Sequence, residues 1–274
     1  MSALDYATLL AGADRAAHAG GDVLRRHFGR LEDVREKAPG DWVSEADVAS
    51  ERTIRELLTR ESGLPVFGEE AGGEEFDTGW LVDPLDGTAN FLHGFDAVGV
   101  SVGLIDDGVP VAGVVHAPLL RRTFSGAVGL GAFRDERPIR VSERPPARAI
   151  VATGFPFRRK DLLDRYEAAF GAALHTFEDL RRPGAASLDL CWTAEGVFDG
   201  FFELRLGPWD VAAGGAIVRA AGGVVTDWAG DDRAWLRSGN VLAGPPAVHA
   251  ALLEVAAAAG STGSAPGTGR PGGR

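Results

Sequence analysis

Apolar and small residues recur at helical spacing near the start of the chain, at Leu9, Leu10, Ala13, Ala17 and Leu24. They predict an amphipathic helix over 4–28, with Gly29 as its stop. A polar loop follows and ends in Pro39-Gly40-Asp41. Ser44 then stands three residues before Asp47, a capping-box-like start for a second helix reaching about Thr59. The apolar runs 65–67 and 80–82 read as short buried strands. Three longer runs, 97–105, 109–116 and 122–128, are separated by Asp-Asp-Gly and by Pro118-Leu-Leu-Arg-Arg, and predict an antiparallel meander. Arg144-Pro145-Pro146 reads as a hinge. Beyond it, strands at 149–153, 177–180, 198–203 and 223–227 alternate with helices at 161–174, 186–195 and 209–221. The pattern predicts an α+β or α/β fold in two halves, 1–144 and 145–258. The remainder, 259–274, is rich in Gly, Ser and Pro and predicts a disordered tail.

The length of 274 residues suits one large domain or two closely packed halves. With 45% hydrophobic and 24% charged residues the composition is that of an ordinary globular protein. A net charge of −11 argues against a nucleic-acid binder, which would show a basic face. The acids either decorate the surface or gather to hold cations, and only the motifs separate these readings. The single cysteine, Cys191, allows no internal disulfide and fits a reducing compartment. The first residues lack a basic stretch before an apolar core, so no signal peptide is expected. No apolar run approaches the roughly 20 residues that span a bilayer. A cytoplasmic protein is the expectation. The six histidines show no metal-ligand spacing, and His93 and His116 read as structural.

Three segments carry chemistry. In the first, residues 80–91, an apolar strand ends in Asp83, Asp86 follows across a proline turn, and Gly87-Thr88 can open a helix. Carboxylates for cations beside free backbone amides for an anion suggest a metal-bridged phosphate. In the second, Val66-Phe-Gly-Glu-Glu70, Glu69 joins that cluster if its strand lies beside the strand of Asp83. Alone, it is an ordinary strand end. In the third, Gly207-Pro-Trp-Asp-Val-Ala-Ala-Gly-Gly215, Asp210 opens a helix of small residues that can pack closely on a sheet. Alone, Asp210 is an acid that suits the helix dipole. All-oxygen donor sets suit hard divalent cations such as Mg²⁺.

Together and in this order these segments resemble the inositol monophosphatase family. Residues 80–91 meet its W-[ILV]-[IV]-D-P-[IL]-D-G-T-x-N-[FY] pattern, Gly68–Glu70 its G-E-E, and Trp209–Gly214 its W-D-x-A-A-G. Asp41–Asp47 is similar to its D-[LF]-V-T-x-x-D, and Gly184–Cys191 loosely resembles its G-[ST]-A-A-x-x-x-C. The resemblance implies a layered α-β-α-β-α sandwich, usually a homodimer. It implies two or three Mg²⁺ ions held by Glu69, Asp83, the Leu85 carbonyl, Asp86 and Asp210. It further implies that Asp47 and Thr88 orient the attacking water, with Glu69 among the catalytic residues. Gly87 and Thr88 hold the phosphate, and Asp86, Gly184, Ala186 and Glu203 line the alcohol part of the substrate. Lys37, ahead of Asp41, stands near a place where the family often has lysine, but the intervening loop varies in length and leaves it unassigned. Ser44 replaces the commoner threonine, and Ala185 stands where a hydroxyl is usual.

The activity implied is hydrolysis of a small phosphate monoester, with inositol 1-phosphate favoured by Glu203 as an acceptor for ring hydroxyls. Histidinol phosphate, fructose 1,6-bisphosphate and 3′-phosphoadenosine nucleotides stay open, because the metal motif is shared. Arg158-Arg159-Lys160 reads either as a solvated helix start or as a subsite for a second phosphate. A different class, a binding or regulatory protein on the same fold, also stays open. No nucleic-acid or membrane partner is expected.

Overall fold

The computed structural model describes residues 4–261. The first helix, α1 (Tyr6–His27), starts where the Asp5 side chain accepts from the amides of Ala7 and Thr8. The loop expected before Asp41 is instead a hairpin of β1 (Val34–Ala38) and β2 (Asp41–Ser44). Its strands carry charges and no apolar alternation, which is why pattern reading passes over it; every residue of β1 is exposed. Helix α2 (Glu45–Ser62) opens on the Ser44–Asp47 capping box and runs three residues past Thr59, to a left-handed stop at Gly63.

One sheet has seven strands in chain order: β3 (Val66–Gly68), β4 (Gly79–Asp86), β5 (Gly99–Asp106), β6 (Val109–Ala117), β7 (Arg122–Ala127), β8 (Gly131–Arg134) and β9 (Arg137–Ile139). The short helix α3 (Thr88–Leu92) follows β4. Only β3 and β4 run parallel; the other neighbours are antiparallel, as the meander reading expects. Strand β4 is buried at every position because helices cover both faces of the sheet. It continues through Asp86 rather than ending at Asp83, with its register broken between them. Pro84 lies in that break and has no N–H to give to the ladder.

The second sheet holds β10 (Ile150–Thr153), β11 (Asp179–Arg181), β12 (Gly200–Glu203), β13 (Val224–Thr226) and β14 (Val241–Gly244), in the order β11-β10-β12-β14-β13. It is parallel around β10 and antiparallel on both sides of β14. The helices are α4 (Leu163–Thr176), α5 (Ala186–Ala194), α6 (Pro208–Ala220), α7 (Trp235–Ser238) and α8 (Pro246–Ser261). Helices α1 and α2 cover one face of the large sheet, α5 and α6 fill the space between the sheets, and α4 and α8 close the far side. Five layers, α-β-α-β-α, result. Helix α8 carries Ala259, a strong helix former, into the stretch expected to be tail and ends at Ser261. Residues 262–274 of that tail lie outside the described residues.

The α6–sheet contact is unusually close. A side chain at Gly113 would meet the Ala213 backbone at 2.5 Å, and one at Gly103 would meet Ala212 Cβ at 2.7 Å. Backbone therefore lies almost on backbone, the small-residue packing expected of the segment after Asp210. Among the described residues no helix is long and apolar enough to cross a membrane.

Candidate active site

The parallel pairing of β3 with β4 sets Gly68 opposite Val82 and carries Glu69 to the end of the strand beside Asp83. Helix α6 enters from the other layer. Its first turn is tied down where Ser101 Oγ on β5 donates to Trp209 O (3.0 Å) and where Trp209 stacks on Phe67 (centroids 6.0 Å apart). One carboxylate oxygen each from Glu69, Asp83 and Asp210 then lies within 4.8 Å of the others. Asp210 also accepts from Gly207 N (2.7 Å), and Asp83 from Leu85 N (2.9 Å).

Burial, with the charges of Glu69 and Asp86 beside it, raises the carboxyl of Asp210 well above its ordinary value. The same two causes raise Asp83, to which Asp210 adds. The three acids lie close enough together to share a cation. The donors are all oxygen, so the residues present fit a hard divalent ion.

Asp86 lies further along β4 and turns toward α5. Ser187 donates to its Oδ2 twice, from the backbone N (2.7 Å) and from Oγ (2.6 Å). Burial nevertheless lifts Asp86 to about 6. The segment that lacks a hydroxyl at Ala185 thus supplies one at Ser187, committed to Asp86. Gly87 adopts a left-handed φ of +87°, and a side chain there would press within 2.9 Å of Ala97 O. Thr88 Oγ1 sits 3.3 Å from Asp47 Oδ1 and 3.1 Å from Leu85 O. Asp47 Oδ2 is occupied by Ser44 N (2.8 Å) and Ser44 Oγ (2.6 Å), so the capping box also orients Asp47. Burial raises the Asp47 carboxyl.

Across the site, Gly184 and Ala186 flank the start of α5, and Asn90 Nδ2 ties that start to α3 by donating to Pro183 O (2.9 Å), while also donating to Ala97 O (2.8 Å) ahead of β5. The Glu203 carboxylate lies over Gly154, where any side chain would meet Oε1 at 1.9 Å. Burial lifts Glu203 to about 8. Cys191 is fully buried in α5, as expected of a lone cysteine. His116 is buried beside His18 and Thr123, and burial lowers it to about 4.

Two residues outside the predicted set shape the cluster. Glu51 is 2% exposed and accepts from Glu70 N (2.7 Å), Ala71 N (3.0 Å) and Arg55 Nη2 (3.0 Å), which holds the turn that carries Glu69. Its signal was its place one helical turn after Asp47. Lys37 donates to Glu69 Oε1 (3.0 Å) and Glu70 Oε1 (2.8 Å). Burial alone would lower its ammonium, but these two carboxylates outweigh that and raise it. Its signal was composition: Lys37 and Lys160 are the only lysines in the chain. Of the basic run, Arg159 pairs locally with Asp161 and Lys160 lies over the Phe157 ring. Only Arg158 reaches across, to Asp41 Oδ1 (3.1 Å) and Gly40 O (3.1 Å).

The model of the inositol monophosphatase family matches residues 5–261. The chain is 41% identical to a putative Nus factor SuhB of Neisseria meningitidis, over 90% of this chain and 97% of that one. It is 39% identical to the fructose-1,6-bisphosphatase/inositol-1-monophosphatase of Aquifex aeolicus, over 88% of this chain and 92% of that one. The crystal structure of extragenic suppressor protein suhB from Bartonella henselae superposes with a TM-score of 0.85 at 36% identity, covering 90% of this chain and 98% of that one. Motifs, five-layer fold and relatives agree: the chain belongs to the inositol monophosphatase family.

Proposed function

We propose that the protein is a Mg²⁺-dependent phosphomonoesterase of a small phosphorylated polyol, inositol 1-phosphate foremost. The observation that carries this reading is the convergence of Glu69, Asp83 and Asp210 within 4.8 Å, beside the Asp47–Thr88 pair. Glu69, Asp83, the Leu85 carbonyl, Asp86 and Asp210 would hold two or three Mg²⁺ ions. When bound, the ions supply Lewis acidity and lower the pKa of a coordinated water. The chain's own residues do the rest. Thr88 Oγ1 and Asp47 orient the attacking water, and Asp47, raised by burial and fixed by Ser44, is placed to take its proton. The amides of Gly87 and Thr88 receive the phosphate. Gly184, Ala186, Asp86 and Glu203 line the alcohol, with Glu203 accepting from its hydroxyls. The products are the free alcohol and inorganic phosphate, and no protein nucleophile is needed. We further propose a cytoplasmic homodimer.

Phosphate release from inositol 1-phosphate, fructose 1,6-bisphosphate, histidinol phosphate and 3′-phosphoadenosine 5′-phosphate tests the reading, with Mg²⁺, with chelator and with Asp83→Asn. Release that disappears with both chelator and variant supports it. A second reading is favoured by the relatives named Nus factor SuhB: a protein-binding role on the same fold. Folded, Mg²⁺-loaded protein that releases phosphate from none of the four compounds would put that reading first.

A further inference from the structure

Four charged side chains form a continuous line from the C-terminal half to the acid cluster. Arg158, on the loop between β10 and α4, places Nη1 3.1 Å from Asp41 Oδ1 and donates from Nε to Gly40 O at 3.1 Å. Asp41 Oδ1 lies 3.9 Å from Lys37 Nζ. Lys37 Nζ reaches Glu69 Oε1 at 3.0 Å and Glu70 Oε1 at 2.8 Å. In the hairpin that carries Asp41 and Lys37, β2 is anchored at its far end by buried Ser44, whereas β1, with Lys37, is exposed at every position. Hairpins of two strands are marginal on their own.

We propose that Arg158 is a positioning residue for the active site: by gripping the hairpin tip through Asp41 and Gly40, it holds Lys37 against Glu69, where the ammonium competes with a bound divalent cation and supplies positive charge at the site's rim. The inference rests on the metal-site reading of Glu69. A compact ammonium delivers its charge at a point, which an arginine fork does not; lysine here, in a chain with 28 basic residues of which two are lysine, fits that need. With the grip removed, the hairpin frays, Lys37 leaves Glu69, and the cation binds with less repulsion while the rim loses the positive charge that turnover uses. Tighter Mg²⁺ binding with slower turnover is a split that simple destabilisation does not produce.

The test uses the full chain. Mg²⁺ binding is read by titration calorimetry, hydrogen exchange over residues 34–44 by mass spectrometry, and turnover by phosphate release from inositol 1-phosphate. The Arg158 side chain is 56% exposed, so Arg158→Ala should melt as wild type. It is expected to exchange residues 34–44 about tenfold faster, to bind Mg²⁺ about threefold more tightly, and to lose kcat about fivefold. Lys37→Met should reproduce the tighter Mg²⁺ binding. Arg158→Lys, or the swap Asp41→Arg with Arg158→Asp, should restore slow exchange. The proposal is overturned if Arg158→Ala leaves exchange and Mg²⁺ affinity unchanged, or if Mg²⁺ binding weakens. If wild type binds no Mg²⁺, the metal reading falls by itself, and the exchange data still decide whether Arg158 holds the hairpin.

Discussion

Glu51 lies outside the acid cluster, yet it holds the turn that carries Glu69. Its carboxylate accepts from two consecutive amides, Glu70 N and Ala71 N, and from Arg55 Nη2, at 2.7–3.0 Å. A methyl in its place would leave two amides and a part-buried guanidinium without that acceptor. Hydrogen bonds to charged groups contribute about 1.5–3 kcal/mol each, and removing one member of a buried pair costs about 3–5 kcal/mol. Arg55 keeps its bonds to Val66 O (2.6 Å) and Gly72 O (2.7 Å), which favours the lower end. Glu51→Ala should therefore destabilise the protein by about 3–4 kcal/mol and lower Tm by roughly 6–16 °C, at about 2–4 °C per kcal/mol for a chain of this size. Because the released turn carries Glu69, Mg²⁺ affinity should fall as well. Thermal and urea unfolding, with Mg²⁺ titration of the folded variant, measure both. A loss below about 1 kcal/mol, or unchanged Mg²⁺ affinity, would refute the assignment of Glu51 as the anchor of this turn.

Gly113→Ala places a methyl 2.5 Å from the Ala213 backbone, and should cost about 3 kcal/mol or more and weaken Mg²⁺ binding by lifting α6; chemical unfolding and calorimetry check it. Ser187→Ala removes the 2.6 Å hydroxyl bond to Asp86 and leaves the one from the backbone N, and should cost about 1.5–3 kcal/mol; unfolding in urea measures it. Gly154→Ala pushes on Glu203 Oε1, 1.9 Å from the new methyl, and should raise KM for a polyol phosphate more than it lowers kcat; steady-state kinetics decide it. Without metal, Asp86 and Glu203 hold protons in the folded state up to about 6 and about 8, whereas an unfolded carboxyl loses its proton near 4. The folded protein then binds more protons than the unfolded one, so metal-free stability should fall as pH rises from about 4 to about 8. Thermal melts in chelator should show that fall, with a shallower slope in Glu203→Gln.

Much of the architecture was legible because the large sheet is simple: consecutive strands, apolar and turn-punctuated, pair in chain order. Pattern reading passed over β8, β9, β14, α7 and α8, and two of its other misses have physical explanations. In the β1–β2 hairpin β1 buries nothing, so it leaves no alternation; the tip is held by charges whose partners are remote in sequence, such as Asp41 and Arg158. The strand through Asp86 looked finished at Asp83 because Pro84 breaks the ladder, and only the pairing of Asp86 with Gly99 shows it resumes. In the site, Asp83 and Asp86 were readable from one short motif. The approach of Asp210 to them was readable only through the small residues after it, which hint at close packing without saying against what. Lys37 and Glu51 hold this turn through contacts 19 to 33 residues away in the chain, and no local pattern reports such pairs.

The seam between α6 and the large sheet has a consequence for how this protein can change. Where Gly103 and Gly113 meet Ala212 and Ala213, nothing larger than a methyl stands between helix and strand to act as a spacer. The gap that separates Asp210 from Asp83 is thus gauged by main-chain atoms, which substitution does not alter. Apolar residues elsewhere in the interior can drift in size and shape over many generations, or be exchanged by an engineer seeking heat resistance, while the two carboxylates keep their spacing. The same arrangement makes four small positions nearly immutable. It divides the interior into a part free to vary and a narrow gauge that must not.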